Sequence, residues 1–311
     1  MPDQPSPGRQ LKIGVQLPEI EREVRWPELR AMARAAEDAG FDSIWVGDHL
    51  LFRFQARPSR GPWEAWSTLA ALAVATTRVE IGPLVAATSF HAPAMIAKKA
   101  ATIDEISGGR LILGLGAGWN EAEYRAYGFP YDHRISRFQE AFTIIRTLLR
   151  EGSIDFDGRF YQARDCELLP RGPRAGGPPL MVGSIGERML AIAAPHVDAW
   201  NAWYDWFGNA PDGLAPLTRA VDAAARVAGR EPVAIERTAA VFVRLPGGTG
   251  RVQGDRPRAA APPIEGPPDV IALGLQGFAE AGISHLQLVV DPITIESIEA
   301  LAPVLEILHR G

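Results

Sequence analysis

The stretch VEIGPLVAATSFHAPAMIAKKAATIDEISGGRLILGLGAGWN, residues 79–120, decides how the chain folds. Val79–Val85 is apolar apart from Glu80, Gly82 and Pro83, as in a strand buried on both faces. Ala86–Pro93 is a break of small and polar residues that places Pro93 where a helix begins. Ile96, Ala100, Ile103 and Ile106 then recur at helical spacing, and Ser107-Gly108-Gly109 ends that helix. Leu111–Leu115 is a second apolar strand running into Gly114-Leu115-Gly116-Ala117-Gly118. Two strands joined by one helix form a parallel βαβ unit, and such units carry their chemistry in the loop after each strand.

The same alternation extends in both directions. Strands are predicted at Leu11–Leu17, Asp42–Val46, Val79–Val85, Leu111–Leu115, Leu180–Val182, Asp198–Trp200, Val233–Arg244 and His285–Val290. Helices fall between them, the first lined by Leu29, Met32, Ala33 and Ala36 and stopped by Gly40-Phe41. Eight strands alternating with eight helices predict a single α/β domain over residues 11–311, a closed (β/α)8 TIM barrel. A doubly wound open sheet is the alternative. Two insertions interrupt the rhythm: a hairpin within Ile154–Leu169, after the fourth helix, and the Gly/Pro-rich Leu245–Pro268 after the seventh strand. The second reads as exposed and mobile, and residues 1–10 read as a loose tail.

Composition narrows the partners. The 311 residues carry a net charge of −5, against the basic surface that nucleic acid or an anionic membrane requires. Cys166 is the single cysteine, which excludes an internal disulfide and fits a reducing compartment. No apolar run reaches membrane-span length and Met1–Gln10 lacks the apolar centre of a signal peptide, so a soluble, cytoplasmic protein is expected.

Several motifs can carry chemistry. Asp48-His49 follows the second strand at the face where barrels react, and imidazole suits proton transfer near neutrality. His91 follows the third strand and is placed to line the same mouth; His133, His196, His285 and His309 read as structural or surface residues. No His-x-His or HExxH occurs, so no metal site is predicted. The Gly114–Gly118 run fails the dinucleotide fingerprint, since Trp119 stands where its third glycine belongs. Gly183-Ser184-Ile185-Gly186 lies between a strand and a helix start, where backbone N–H groups suit a phosphate. Pro83-Leu84, late in a buried strand, suggests a bulge pushed toward the mouth.

Taken together these residues resemble a known family. Gly40–His49 (GFDSIWVGDH), Ile81–Val85 (IGPLV), Ala101–Arg110 (ATIDEISGGR), Gly114–Trp119 (GLGAGW), Pro179–Gly183 and Asp198–Asn201 are similar to the bacterial luciferase-like monooxygenase superfamily. The Asp-His pair after the second strand resembles most the branch that uses coenzyme F420, a deazaflavin. The likeness covers about residues 11–242 and the closing unit at 270–308.

The resemblance implies a homodimer of barrels binding a deazaflavin, or alternatively flavin mononucleotide (FMN), at the carboxyl ends of the strands. It implies that Asp48 and His49 lie beside the ring, with His49 the catalytic proton donor or acceptor. Pro83, Leu84 and Val85 would form a bulge behind the ring, in relatives often with a non-prolyl cis peptide. Gly116, Ala117, Gly118 and Asn120 would border the ring and its tail, and Gly183, Ser184, Ile185 and Gly186 would hold the phosphate. Phe52, Arg53, His91 and Trp119 would line the substrate pocket. The chain also departs from the pattern. Ala86-Ala87 and His91-Ala92-Pro93 replace the Thr-Pro and Arg-His-Pro of many relatives. Trp119 and Arg53 stand where deazaflavin-dependent alcohol and sugar-phosphate dehydrogenases carry Glu and Trp. The leading expectation is hydride transfer between F420 and a small organic substrate. An FMN-dependent monooxygenase and a non-catalytic barrel are the alternatives.

Overall fold

The computed structural model describes residues 11–55, 57–251 and 261–310. The predicted tail at residues 1–10 and residues 252–260 of the Gly/Pro-rich segment lie outside them. In chain order the strands and α-helices are β1 (Lys12–Gln16), α1 (Trp26–Ala39), β2 (Ser43–Val46), α2 (Ala65–Ala75), β3 (Glu80–Pro83), β4 (Ala86–Ala87) and α3 (Pro93–Ser107). There follow β5 (Leu113–Gly116), α4 (Glu121–Tyr127), α5 (Arg134–Glu151), β6 (Ser153–Asp157), β7 (Gln162–Glu167), β8 (Leu180–Gly183) and α6 (Glu187–Ala193). The chain ends with β9 (Ala199–Ala202), α7 (Ala215–Val227), β10 (Glu236–Arg244), α8 (Pro268–Glu280), β11 (His285–Asp291), α9 (Ile295–Ala300) and α10 (Ala302–Arg310).

One parallel sheet holds the order β3-β2-β1-β11-β10-β9-β8-β5-β4. Its ends meet, because β3 and β4 are two parts of the third barrel strand. The bridge Ile81↔Leu111 ties the first part to the chain entering β5, and Ala86↔Leu115 ties the second part to β5 itself. The barrel is therefore closed, with helices outside. Between the two parts lies the predicted bulge, and the Leu84–Val85 peptide there is cis. The hairpin β6–β7 is antiparallel and stands apart from the barrel.

The barrel strands, unlike the hairpin, are nearly all buried, so a continuous apolar run is what the sequence needed to supply. Leu29, Met32, Ala33 and Ala36 form the buried stripe of α1, and Gly40 at φ +99° ends it. The N–H of Phe41 returns to the Ala36 carbonyl at 3.0 Å while its ring sinks into the core. On α3 the expected stripe needs correction: Ile96, Ala100 and Ile103 are buried, but Ile106 is 45% exposed. The face continues through Ser107, four residues from Ile103, and Ile106 is rotated off it.

The segment after β10 also differs from its predicted exposure. Ile264 pairs with Val243, and Arg251 is only 5% exposed. Ion pairs with Glu19 and Glu21 draw that guanidinium inward despite the loop-like composition around it. Among the described residues no helix is long and apolar enough to cross a membrane.

At the amino end of the barrel, Arg110 works as a clamp. Its guanidinium donates to the carbonyls of Ala73, Thr76, Val79 and Ser107 at 2.7–3.0 Å and to the Thr76 hydroxyl at 2.9 Å. It thus caps the carboxyl end of α2 and ties it to the start of the third strand. Arg110→Ala is expected to lower the unfolding free energy by about 2–3 kcal/mol, because several carbonyls lose a charged donor. Urea denaturation measures this, and an unchanged midpoint would contradict the clamp.

Candidate active site

The carboxyl ends of the strands surround a cavity of about 540 Å³. Gln16 and Glu19 come from the end of β1, Asp48 and His49 from the end of β2, and Leu84, Val85 and Ala87 from the bulged third strand. Gly116–Trp119 follow β5, Gly183–Ile185 follow β8, and Asn201 and Trp203 close the ring from β9. The volume lies within the range of about 300–1,000 Å³ usual for small-molecule and cofactor sites. The β5 loop is held from behind, with Tyr124 donating to the Ala117 carbonyl at 2.8 Å and Arg134 to that of Gly118 at 2.7 Å.

His49 is the best-buttressed group in this mouth. Its Nδ1–H donates to Glu123 Oε2 at 2.9 Å, and its Nε2 faces Glu19 Oε1 at 3.6 Å. Glu123 is fully buried and also accepts the N–H groups of Leu50 and Leu51 at 2.5 and 3.0 Å, which fixes its carboxylate. Burial by itself depresses the imidazole, but the charges of Glu19, Glu123 and Asp48 outweigh it, so its pKa stands above the ordinary value. Phe52 and Trp119 pack on the ring at centroid distances of 4.6 and 5.3 Å and fix its plane. With a carboxylate facing each nitrogen, the ring is easier to protonate than an ordinary imidazole, and in that form it could serve as a preoriented acid.

Asp48 sits beside it under opposite pressure. Burial pushes its carboxyl up to about 7; the Ala87 N–H and His49 restrain the rise, and Glu64 and Glu123 add to it. Oδ2 accepts the Ala87 N–H at 2.9 Å, which anchors the strand just past the bulge. Oδ1 is buried without a hydrogen-bond partner among the described residues, and the same is true of Gln16 Oε1. Both residues line the cavity. Unmet polar atoms beside flat apolar walls suit a ring carrying its own donors and acceptors.

The site brings together Asp48, His49, Leu84, Val85, Gly116, Ala117, Gly118, Trp119, Gly183, Ser184 and Ile185 of the residues singled out from sequence. Pro83, Asn120, Gly186, Phe52, Arg53 and His91 do not line it. Pro83 is in β3 behind the bulge, Gly186 precedes α6, and Asn120 donates to the Leu51 carbonyl at 3.0 Å. Phe52 is buried behind His49, and Arg53 is exposed. His91 is turned aside, accepting from Trp66 Nε1 at 3.0 Å with Lys99 Nζ 3.2 Å from Nδ1. Burial and the Lys99 charge push its pKa down to about 4, so it stays neutral. Sequence reasoning missed Gln16, Glu19, Glu123 and Asn201. Glu123 had one available signal: it lies one helical turn beyond Trp119, where an acid was noted as missing, and its carboxylate reaches His49 from there.

The walls could hold a flat cofactor between the Leu84–Val85 bulge and Trp119, with Gly183–Ile185 offering backbone to a phosphate-bearing tail. Gly116 serves this shape, since a Cβ there would lie 2.8 Å from the Val85 side chain and displace the cavity floor. Among the described residues no group of three or more His, Cys, Asp or Glu side chains is placed to bind a metal ion.

Comparison with known proteins finds relatives in sequence and in fold. The chain is 32% identical over 184 residues to a 5,10-methylenetetrahydromethanopterin reductase of Archaeoglobus fulgidus, covering 59% of this chain and 50% of that protein. It is 35% identical over 175 residues to the pyrimidine monooxygenase RutA of Cronobacter sakazakii, covering 54% and 50%. An F420-dependent hydroxymycolic acid dehydrogenase of Mycobacterium tuberculosis is 30% identical over 242 residues, covering 74% and 62%. The chain thus spans about half the length of several curated relatives it matches. A solved F420-dependent secondary alcohol dehydrogenase, in complex with an F420–acetone adduct, superposes with a TM-score of 0.81 at 20% identity, covering 96% of this chain and 99% of that one. That likeness establishes the shared TIM-barrel fold. The family model described as luciferase-like monooxygenase matches residues 11–245, and the chain belongs to that family.

Proposed function

We propose that this protein is an F420-dependent oxidoreductase that moves a hydride between the deazaflavin and a small organic substrate. The observation that carries the reading is His49, held as a proton donor between Glu19 and Glu123 at the edge of a cavity suited to a flat cofactor. The F420-dependent hydroxymycolic acid dehydrogenase among its relatives supports the choice of cofactor. When bound, the deazaflavin supplies a two-electron centre that gives or takes hydride. The chain supplies the rest. Leu84, Val85 and Trp119, which line the cavity, would shield a bound ring from water, and the unmet Asp48 Oδ1 and Gln16 Oε1 would be available to its polar atoms. Asp48 is close enough to half-protonation near neutrality to act there as donor or acceptor. His49 gives its proton to the substrate oxygen that becomes a hydroxyl, or takes it in the opposite direction, and Glu123 keeps the imidazole aimed.

The second reading is an FMN-dependent monooxygenase, favoured by the similarity to the pyrimidine monooxygenase. Titrating the purified protein with each cofactor separates the two. Submicromolar binding of F420 with weak binding of FMN is expected, and the reverse preference would overturn the first reading in favour of the second.

Catalysis should then depend on the protonation of His49. His49→Asn is expected to lower the turnover of F420-linked reduction by roughly 10²–10⁴-fold with little change in cofactor affinity. The sign of the pH effect follows from the neighbours. Because carboxylate charge raises the pKa of His49, Glu123→Gln lowers it, so the proton is lost at lower pH and the basic limb of the rate profile moves toward acid. A profile for Glu123→Gln that coincides with that of the unmodified enzyme would contradict this role.

A further inference from the structure

Arg251 lies outside the cavity lining yet is bound to it through Glu19. It comes from the Gly/Pro-rich segment after β10 and is buried to the same degree as core side chains. Its Nη2 pairs with Glu19 Oε2, its Nε donates to Glu21 Oε1 at 2.7 Å, and its guanidinium lies 5.2 Å from the Trp203 ring centroid. Glu19 is thereby divided between two cations: one oxygen meets Arg251, and the other faces His49 Nε2 at 3.6 Å. The Glu19 carboxylate cannot retreat, because it rests on the α-carbon of Gly47, where a Cβ would come within 2.1 Å of Oε1. Gln16 Nε2 steadies it further, donating to Oε2 at 3.3 Å.

This division matters for a proton donor. An imidazolium gripped by two buried carboxylates holds its proton too tightly to release it near neutral pH. A guanidinium keeps its charge at any physiological pH, so it can draw off part of one carboxylate's field permanently. We propose that Arg251 is a positioning residue for His49: by engaging Glu19 it loosens that carboxylate's hold on the imidazolium and keeps the proton transferable. The proposal rests on the reading of His49 as a proton-transfer group, and it assigns a part in that transfer to a segment far away in the sequence.

The charged surroundings are limited. Glu19 faces His49 from the loop after β1, Glu123 from α4, and Asp48 from the adjacent position. Glu19, Glu21 and the Tyr204 hydroxyl face Arg251. Against burial, which depresses His49, Glu19 is the strongest opposing charge, so a change in Glu19 registers at the imidazole.

The test reads His49 directly in the full chain without cofactor, so its result is independent of which cofactor binds. Long-range ¹⁵N–¹H spectra of histidine-labelled protein are recorded from acid to alkaline pH, with the His49 signal assigned by its loss in His49→Asn. In Arg251→Met the His49 midpoint is expected to rise by about one pH unit, and Arg251→Lys should recover much of the difference. Loss of a purely structural latch would instead wet the site and leave the midpoint unchanged or move it downward, and either result overturns the proposal.

Discussion

Three carboxylates, Glu19, Asp48 and Glu123, are buried at the mouth of this barrel, and their compensation is the constraint from which the site follows. An unpaired buried carboxylate costs several kcal/mol, so each must be paired, hydrogen-bonded or protonated. The three solutions differ. Glu123 is saturated by two backbone N–H groups and His49, Glu19 is shared between His49 and Arg251, and Asp48 has one backbone donor and a pKa near neutrality. One imidazole and one guanidinium therefore hold the cluster together, and the carboxylates around the imidazole favour its charged form at the edge of the cavity.

The barrel makes that cluster possible by separating tasks between its two ends. At the amino end, Arg110 gathers the carbonyls around α2, and buried Asp104 receives Arg174 on both carboxylate oxygens. These contacts are saturated and leave nothing for a ligand. At the carboxyl end, acceptors of Gln16 and Asp48 remain unmet, and glycine keeps the β5 strand close to Val85. Stability is concentrated below and unsatisfied chemistry above, a division common to barrels of this architecture.

Much of the fold was legible because buried parallel strands leave a local trace. The apolar runs, the Gly40-Phe41 stop and the α1 stripe each reside in a few consecutive residues and lie close to where the sequence placed them, although the strand read from Val233 begins only at Glu236, after a turn that leaves Val233 exposed. Asp48-His49 was legible in the same way, as a polar pair directly after a buried strand. Glu19, Glu123 and Arg251 were not. A glutamate in a loop or on a short helix reads as solvated, and an arginine among prolines and glycines reads as exposed. What buries them is a partner far along the chain, since Arg251 and Glu19 are 232 positions apart and Glu123 and His49 are 74 apart. His91 shows the converse error: it follows a strand as the pattern requires, but Trp66 and Lys99 claim both of its nitrogens.

The central claim is that a deazaflavin lies in this mouth beside the His49 imidazole, and crystals grown with F420 test it most directly. The account predicts density for the ring system inside the cavity, between the Leu84–Val85 bulge and Trp119, with one edge at Asp48 and His49. Density for the ring at another place on the barrel, with this cavity still filled by solvent, would contradict it.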